Sequence, residues 1–349
     1  MNKFMSWLED SFVPKANQLF SRPFIAAFSS TMQKIIPFIL TGSVIYFYNV
    51  IKSFVPVLPD LSPILTYSFG IITVIVAFMM GNQLMEKLGH PDYVINAALC
   101  SVGTLLMVAM PLGENVDSIS SLMGNLGAAG IAVGLIVGLY VGTIFHLWGK
   151  LHFLQDSSCP DFVTAWVNTI VPNLITLGIA MVLVNVLKLD VYSLVIAAFM
   201  PLANIGQTLP GFILICLIPA FFYTLGISSW TFGAVTTPIF MAGIQANIDA
   251  VAAGGVATNI VTSESVFTMA FVTMGGMCAT LGLNALMCFS KSKQLKTLGR
   301  VFIVPSIFNI NEPIMYGGKV VMNPVLMIPA WLNSIIGDRK STRLNSSHI

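Results

Sequence analysis

The stretch "LGAAGIAVGLIVGLYVGTIFHLW", Leu126–Trp148, runs for 23 residues without an Asp, Glu, Lys or Arg. A helix of that length rises about 34 Å, at roughly 1.5 Å per residue. That is enough to cross the roughly 30 Å hydrocarbon core of a bilayer. The remainder of the chain agrees. Of its 349 residues, 56% are hydrophobic and 9% are charged, and the mean hydropathy is +0.86. Soluble domains carry roughly 25% charged residues. With so few charges the chain cannot cover a water-facing globular surface, so the bilayer is its solvent.

Further apolar runs bear this out on either side. They are Ile35–Ile51, Ile64–Gly81, Tyr93–Leu112, Ile170–Leu187, Gly211–Ile227, Ser265–Phe289 and Val320–Ile336. Each is near the length of a spanning helix, and none shows the short alternating segments of a β-barrel. Three more pieces are apolar but interrupted by Pro, Gly or Asn: Asp190–Gly206, Ser228–Ile248 and Val301–Gly318. Interrupted backbone at membrane depth has to line a cavity or lie buried in protein, and it points to a transporter's binding site. The expected fold class is an all-α polytopic membrane protein. It has about eight to ten transmembrane helices, with re-entrant hairpins and interfacial amphipathic helices.

The third interrupted piece contains "IFNINEPIMYGGKVVMNP", Ile307–Pro324. Its carboxylate, Glu312, sits between Asn311 and Pro313, with Asn309 close by. A charged group at that depth costs about 2.5–3.5 kcal/mol on insertion scales and is retained for a partner or a function. Pro313 removes a backbone donor and prevents a continuous helix. Two carboxamides, a carboxylate and freed backbone groups in an apolar wall match the hydroxyls of a sugar. Alternatively, Glu312 pairs with Lys319 and holds the helix break.

Other chemistry is not indicated. The cysteines Cys100, Cys159, Cys216, Cys278 and Cys288 are scattered and read as small core residues. His90, His146 and His152 lack metal-ligand spacing, and the last two suit anchoring at the membrane interface. No phosphate loop, nucleophile elbow or dinucleotide fingerprint is present. Neither a cofactor nor a metal is expected, and no nucleic-acid partner. The amino terminus sets Trp7, Leu8, Phe12 and Phe20 against Lys3, Lys15 and Arg22, the pattern of a helix lying on the membrane rather than a signal peptide. The basic loop Ser290–Arg300 is expected on the cytoplasmic side, with the amino terminus. The small-residue stretch Gly127–Gly142 lets helices approach closely, either between two copies or within one chain.

The final "DRKSTRLNSSHI", Asp338–Ile349, breaks with all that precedes it. Back-translation of Asp338–His348 gives a run resembling a common sequencing adapter. These residues are expected to be read-through, with one transport domain over residues 1–337 that is truncated near Gly337. Without this tail, which sets Arg339, Lys340 and Arg343 against Asp338, basic and acidic residues balance.

The motif "FNINEPIMYGGKVVMNPVLMIP", Phe308–Pro329, resembles the signature of phosphotransferase-system IIC components of the lactose/cellobiose/diacetylchitobiose group. The resemblance continues upstream through "GGMCATLGLNALMCFSKSKQLKTLGRVFIVPSIFNINEP" (Gly275–Pro313), "SSCPDFVTAWVNTIVPNLI" (Ser157–Ile175) and "MQKIIPFILTGSVIYFYNVI" (Met32–Ile51), covering nearly all of residues 1–337. It implies a bacterial cell-membrane permease, dimeric, that occludes a disaccharide and presents it to a cytoplasmic IIB protein, itself charged through IIA. A phosphocysteine on IIB then phosphorylates a sugar hydroxyl. By this resemblance Glu312 binds that hydroxyl and acts as its base, while Asn309 and Asn311 shape the hairpin and contact the sugar. Gly275 and Gly276 stand at the family's glycine-rich turn. Where the family carries a sugar-binding histidine, this chain has Ser228, followed by Ser229 and Trp230. The serines either contact a hydroxyl or cap a helix, and Trp230 offers a face for stacking. Any enzymatic activity would need the IIA and IIB partners, and no soluble region of domain size is fused to supply them. The alternative is a uniporter or sensor of the same fold, uncoupled from phosphorylation.

Overall fold

A computed structural model describes residues 2–55, 57–109, 119–151, 161–227, 229–262, 273–307 and 309–346. Among them every regular element is helical. Along the chain run α1 (Asn2–Trp7), α2 (Val13–Phe20), α3 (Pro23–Phe54), α4 (Ser62–Ser68), α5 (Ile72–Lys87), α6 (Val94–Ala109), α7 (Ile119–Leu126) and α8 (Ile131–Gly149). Then follow α9 (Asp161–Met181), α10 (Val191–Gly206), α11 (Leu209–Thr224), α12 (Gly233–Ala252), α13 (Leu281–Cys288), α14 (Lys293–Ile307) and α15 (Pro324–Ser346). Four stretches among the described residues are long and apolar enough to cross a membrane: Ser62–Lys87, Pro91–Ala109, Ile131–Gly149 and Trp166–Val186. A fifth arises if α10 and α11, which meet at a bend, form one span. This is a multi-pass, all-helical membrane protein.

The chain divides into two compact units, one of residues 22–200 and one of residues 1–21 with 201–349. In the first, α5 packs against α3, α6 and α8. The close approach of α5 and α8 follows from three glycines spaced one turn apart. A methyl group on Gly134 would lie 2.8 Å from the Thr73 carbonyl oxygen, one on Gly138 2.5 Å from Met80 Cβ, and one on Gly142 2.6 Å from Leu84 Cδ2. The small-residue stripe therefore serves packing within the chain. Lipid tails are as apolar as leucine, so such contacts rather than hydrophobic burial hold membrane helices together. Gly138→Leu is expected to destabilise the protein by about 1–3 kcal/mol through overpacking. Gly178→Leu in α9, where nothing lies within 4 Å of the added carbon, should cost much less. Thermal unfolding in detergent compares the two, and equal midpoints would remove the packing account.

His146, expected as an interfacial anchor, shares a hydrogen bond with His90, Nε2 to Nδ1 at 2.8 Å. The bond ties the turn after α5 to the last turn of α8. His152 lies outside the described residues. Beyond the spans, Lys52 pairs with Asp60 at 3.4 Å. The Asp60 carboxyl is held below its ordinary range, first by the Ser62 hydroxyl and backbone N–H and then by Lys52.

In the second unit the amphipathic amino terminus packs on protein. Leu8 is fully buried in a cluster with Leu225 and Met327. Phe12 meets the rings of Phe221 and Phe222, and Phe20 those of Phe222 and Phe232. Trp7 and Phe4 remain about half exposed. Most of the apolar face assigned from sequence to the bilayer is thus used on α11 and α15.

Three further corrections concern backbone. Within Asp190–Gly206, Val191–Gly206 is one helix through Pro201, and the interruption comes after it, where Thr208 caps α11 by accepting from the Gly211 N–H at 3.2 Å. The basic stretch Ser290–Arg300 is helical from Lys293 onward, because Lys293, Lys296 and Arg300 recur on the exposed face of α14 while Gly299 packs against Met287 and Cys288. Ser265–Phe289 is not one span. Residues 265–272 lie outside the described residues, and of the rest only Leu281–Cys288 is helical. Hydropathy sees apolar side chains there, but φ is positive at Gly275, Gly276, Cys278 and Ala279, and left-handed residues end a right-handed helix.

The irregular segment before that turn is tethered by two carboxamides. Gln207 donates to the Val261 carbonyl at 2.8 Å and accepts from the Val261 N–H at 2.9 Å. Asn247 does the same to the Asn259 backbone, at 2.8 Å in each direction. These bonds satisfy main-chain groups that no helix satisfies.

Candidate functional site

The candidate residues that the structure brings together are Asn309, Asn311, Glu312, Gly275 and Gly276. They belong to two irregular segments of the second unit. The first is the turn Thr273–Thr280, closed by Gly276 N–H to the Thr273 carbonyl at 2.9 Å and Leu281 N–H to the Met274 carbonyl at 3.1 Å. The second follows α14. Asn309 takes φ +59°, a conformation that asparagine tolerates better than most residues. Glu312 then opens a π-helical turn, Pro313–Gly317, where Pro313 has no N–H to lose.

Side-chain amides join the two segments. Asn309 Oδ1 accepts from the Gly275 N–H at 2.9 Å. Asn311 is 3% exposed. Its Nδ2 donates to the Met277 carbonyl at 2.6 Å and to Thr280 Oγ1 at 3.0 Å. Thr280 Oγ1 in turn donates to the Gly275 carbonyl at 2.9 Å. Both Asn311 amide hydrogens are therefore committed inside the protein, and this asparagine shapes the hairpin rather than presenting donors outward. The glycines are required by fit. Gly276 stands at φ +102°, and a methyl group on it would collide with the Asn311 carboxamide.

Two residues not singled out by sequence complete the cluster. Tyr223, fully buried on α11, donates from its hydroxyl to Asn311 Oδ1 at 3.1 Å. Tyr316, half exposed, meets the Tyr223 ring edge-on at 6.3 Å and reaches the Gly226 carbonyl at 3.5 Å. Glu312 is partly buried. The one prior signal was a phenol inside an apolar span, which needs a partner when buried. Gly226, at φ +88°, turns the chain out of α11 towards Ile227. Ser228 lies outside the described residues. Ser229 starts a single 3-10 turn, Ser229–Phe232, and the Trp230 side chain is outside the description. The arrangement offers a carboxylate and a phenol on one short helical turn, backed by a buried polar network. A sugar hydroxyl can donate to either, since the Tyr316 oxygen keeps its lone pairs while its hydrogen points to the Gly226 carbonyl.

Residues 24–334 match the family described as Phosphotransferase system, EIIC. The chain belongs to that family. Among EIIC relatives, the putative permease IIC component YwbA of Bacillus subtilis is 26% identical over 94% of this chain and 80% of its own length. The oligo-beta-mannoside-specific EIIC component of the same organism is 29% identical over 76% of this chain and 62% of its own length. The solved structure of the transporter ChbC, the IIC component from the N,N'-diacetylchitobiose-specific phosphotransferase system, superposes with a TM-score of 0.80. It covers 98% of this chain and 85% of ChbC at 23% identity, a likeness of fold. This EIIC protein is accordingly a membrane-embedded sugar transporter subunit of a phosphotransferase system.

Proposed function

We propose that this EIIC protein carries a disaccharide and presents one of its hydroxyls to a cytoplasmic IIB phosphocysteine, with Glu312 as the base. The observation that carries the reading is the division of labour in the hairpin. Asn309 and Asn311 hold the Thr273–Thr280 turn, and Glu312 is the ionisable side chain they deliver at the head of the π-helical turn. In the transfer, the sugar oxygen attacks phosphorus and forms the O–P bond. The S–P bond breaks, the sulfur leaves as thiolate, and the hydroxyl proton passes to the Glu312 carboxylate. Little covalent chemistry falls to the protein, so positioning decides the rate.

The finer architecture belongs to the same proposal. The chain crosses the membrane about eight to ten times with re-entrant hairpins, and it acts as a homodimer together with IIA and IIB. Its amino terminus and the basic face of Lys293–Arg300 are cytoplasmic. Ser228, Ser229 and Trp230 form a second wall of the sugar site, and the backbone of Gly275 and Gly276 borders it. In the EIIC family the names of relatives include oligo-beta-mannoside and N,N'-diacetylchitobiose systems, which supports a disaccharide or short oligosaccharide cargo.

The test uses proteoliposomes, phosphorylated IIB on one side and a panel of labelled disaccharides on the other. A phosphorylated disaccharide should accumulate on the IIB side. Equilibration of free sugar with no sugar phosphate, for every sugar that binds, would overturn the coupled reading in favour of a uniporter.

A further inference from the structure

Tyr223 is 1% exposed, sits within an apolar helix, and donates from its hydroxyl to Asn311 Oδ1 at 3.1 Å. Asn311 adjoins Glu312 in sequence and is anchored on its other side by Thr280 and the Met277 carbonyl. The segment preceding Glu312 is thus clamped between α11 and the Thr273–Thr280 turn. A buried phenol with no partner is costly, and so is a buried carboxamide oxygen that has lost its donor. The clamp therefore has few alternative arrangements, and sugar-sized displacements of Glu312 are resisted.

We propose that Tyr223 is a positioning residue for the phosphoryl-transfer step: through Asn311 it fixes Glu312 at the distance from the bound hydroxyl that transfer requires. The proposal rests on the assignment of Glu312 as the base. Tyr223 touches neither sugar nor phosphorus.

Tyr223→Phe removes the hydroxyl and keeps the ring. Phosphorylation with phosphorylated IIB is measured per sugar-binding site, with sites counted by sugar titration of the same sample. The turnover number should fall between about ten- and a hundredfold, the cost of a small misplacement at a reacting centre. The KM for sugar should change by less than about twofold. A merely structural role would lower the number of binding sites and the unfolding temperature, and it would leave turnover per site unchanged. That result overturns the proposal. Should Tyr223→Phe yield no sugar-binding protein, Thr280→Val opens the clamp from its other side and carries the same expectation. Normal turnover per site in Thr280→Val then overturns it. Glu312→Gln is run in parallel. If it transfers phosphate normally, the base assignment has failed and the clamp has nothing to position. If it collapses while Tyr223→Phe is normal, only the clamp has failed.

Discussion

Glu312→Gln should reduce phosphoryl transfer by about a hundred- to ten-thousandfold, the range associated with loss of a positioned general base. The substitution keeps the shape of the side chain and one carbonyl oxygen, so it can still accept a hydrogen bond from a sugar hydroxyl. It cannot take up the proton. Sugar affinity, measured by titration of the purified protein, should therefore weaken by no more than about tenfold, since a hydrogen bond to a charged group (about 1.5–3 kcal/mol) is replaced by a neutral one (about 0.5–1.5 kcal/mol), a difference of roughly 1–1.5 kcal/mol. The split between the two readouts is the informative result. Equal losses in binding and in transfer would make Glu312 a binding group, and undiminished transfer would make it structural.

The second large effect is expected at Gly276. Alanine there acquires a left-handed φ of +102° and a methyl group directed into the Asn311 carboxamide. Backbone strain contributes about 1–2 kcal/mol. Displacing a packed neighbour adds about 1–3 kcal/mol, and disturbing the Asn311 bonds leaves buried polar atoms unpaired at about 1–3 kcal/mol. A total of roughly 3–8 kcal/mol is a large part of a typical stability of about 5–15 kcal/mol. Gly276→Ala should be recovered in low yield, unfold early in a thermal scan and fail to bind sugar. Gly282→Ala, six residues on in α13 with nothing within 4 Å of the added carbon, should be neutral or slightly stabilising, since alanine is the better helix former. Similar behaviour of the two variants would show that the collision at Gly276 is relieved without cost.

Four of the spans and the helix break at Glu312 were legible in the sequence because their causes are local. Uncharged runs such as Leu126–Trp148 state their own solvent, and Asn309, Asn311 and Pro313 announce a break within five residues. What failed was anything that depends on φ or on distant partners. Hydropathy passes over Gly275–Ala279, since alanine, cysteine and methionine look spanning whatever their backbone angles. Tyr223 reads as one more aromatic in "AFFYTLGI". Its importance comes from Asn311, 88 residues away. The His90–His146 bond spans 56 residues and is equally silent in a linear reading. At the amino terminus the amphipathic pattern was sound, but a pattern of that kind names an apolar face without naming what covers it. Leu8 and Phe12 found α11 and α15 there.

The tethers from Gln207 and Asn247 separate conformation from sequence. Both carboxamides read main-chain atoms of residues 259 and 261, and main-chain atoms are the same in every amino acid except proline. The backbone at Asn259 and Val261 is thereby held without any instruction about the side chains around it. Exposed positions such as Ala257 and Thr258 are left open to drift, while the two amides that hold the path are not. A transporter built this way can change the side chains displayed on this segment and leave its backbone in place.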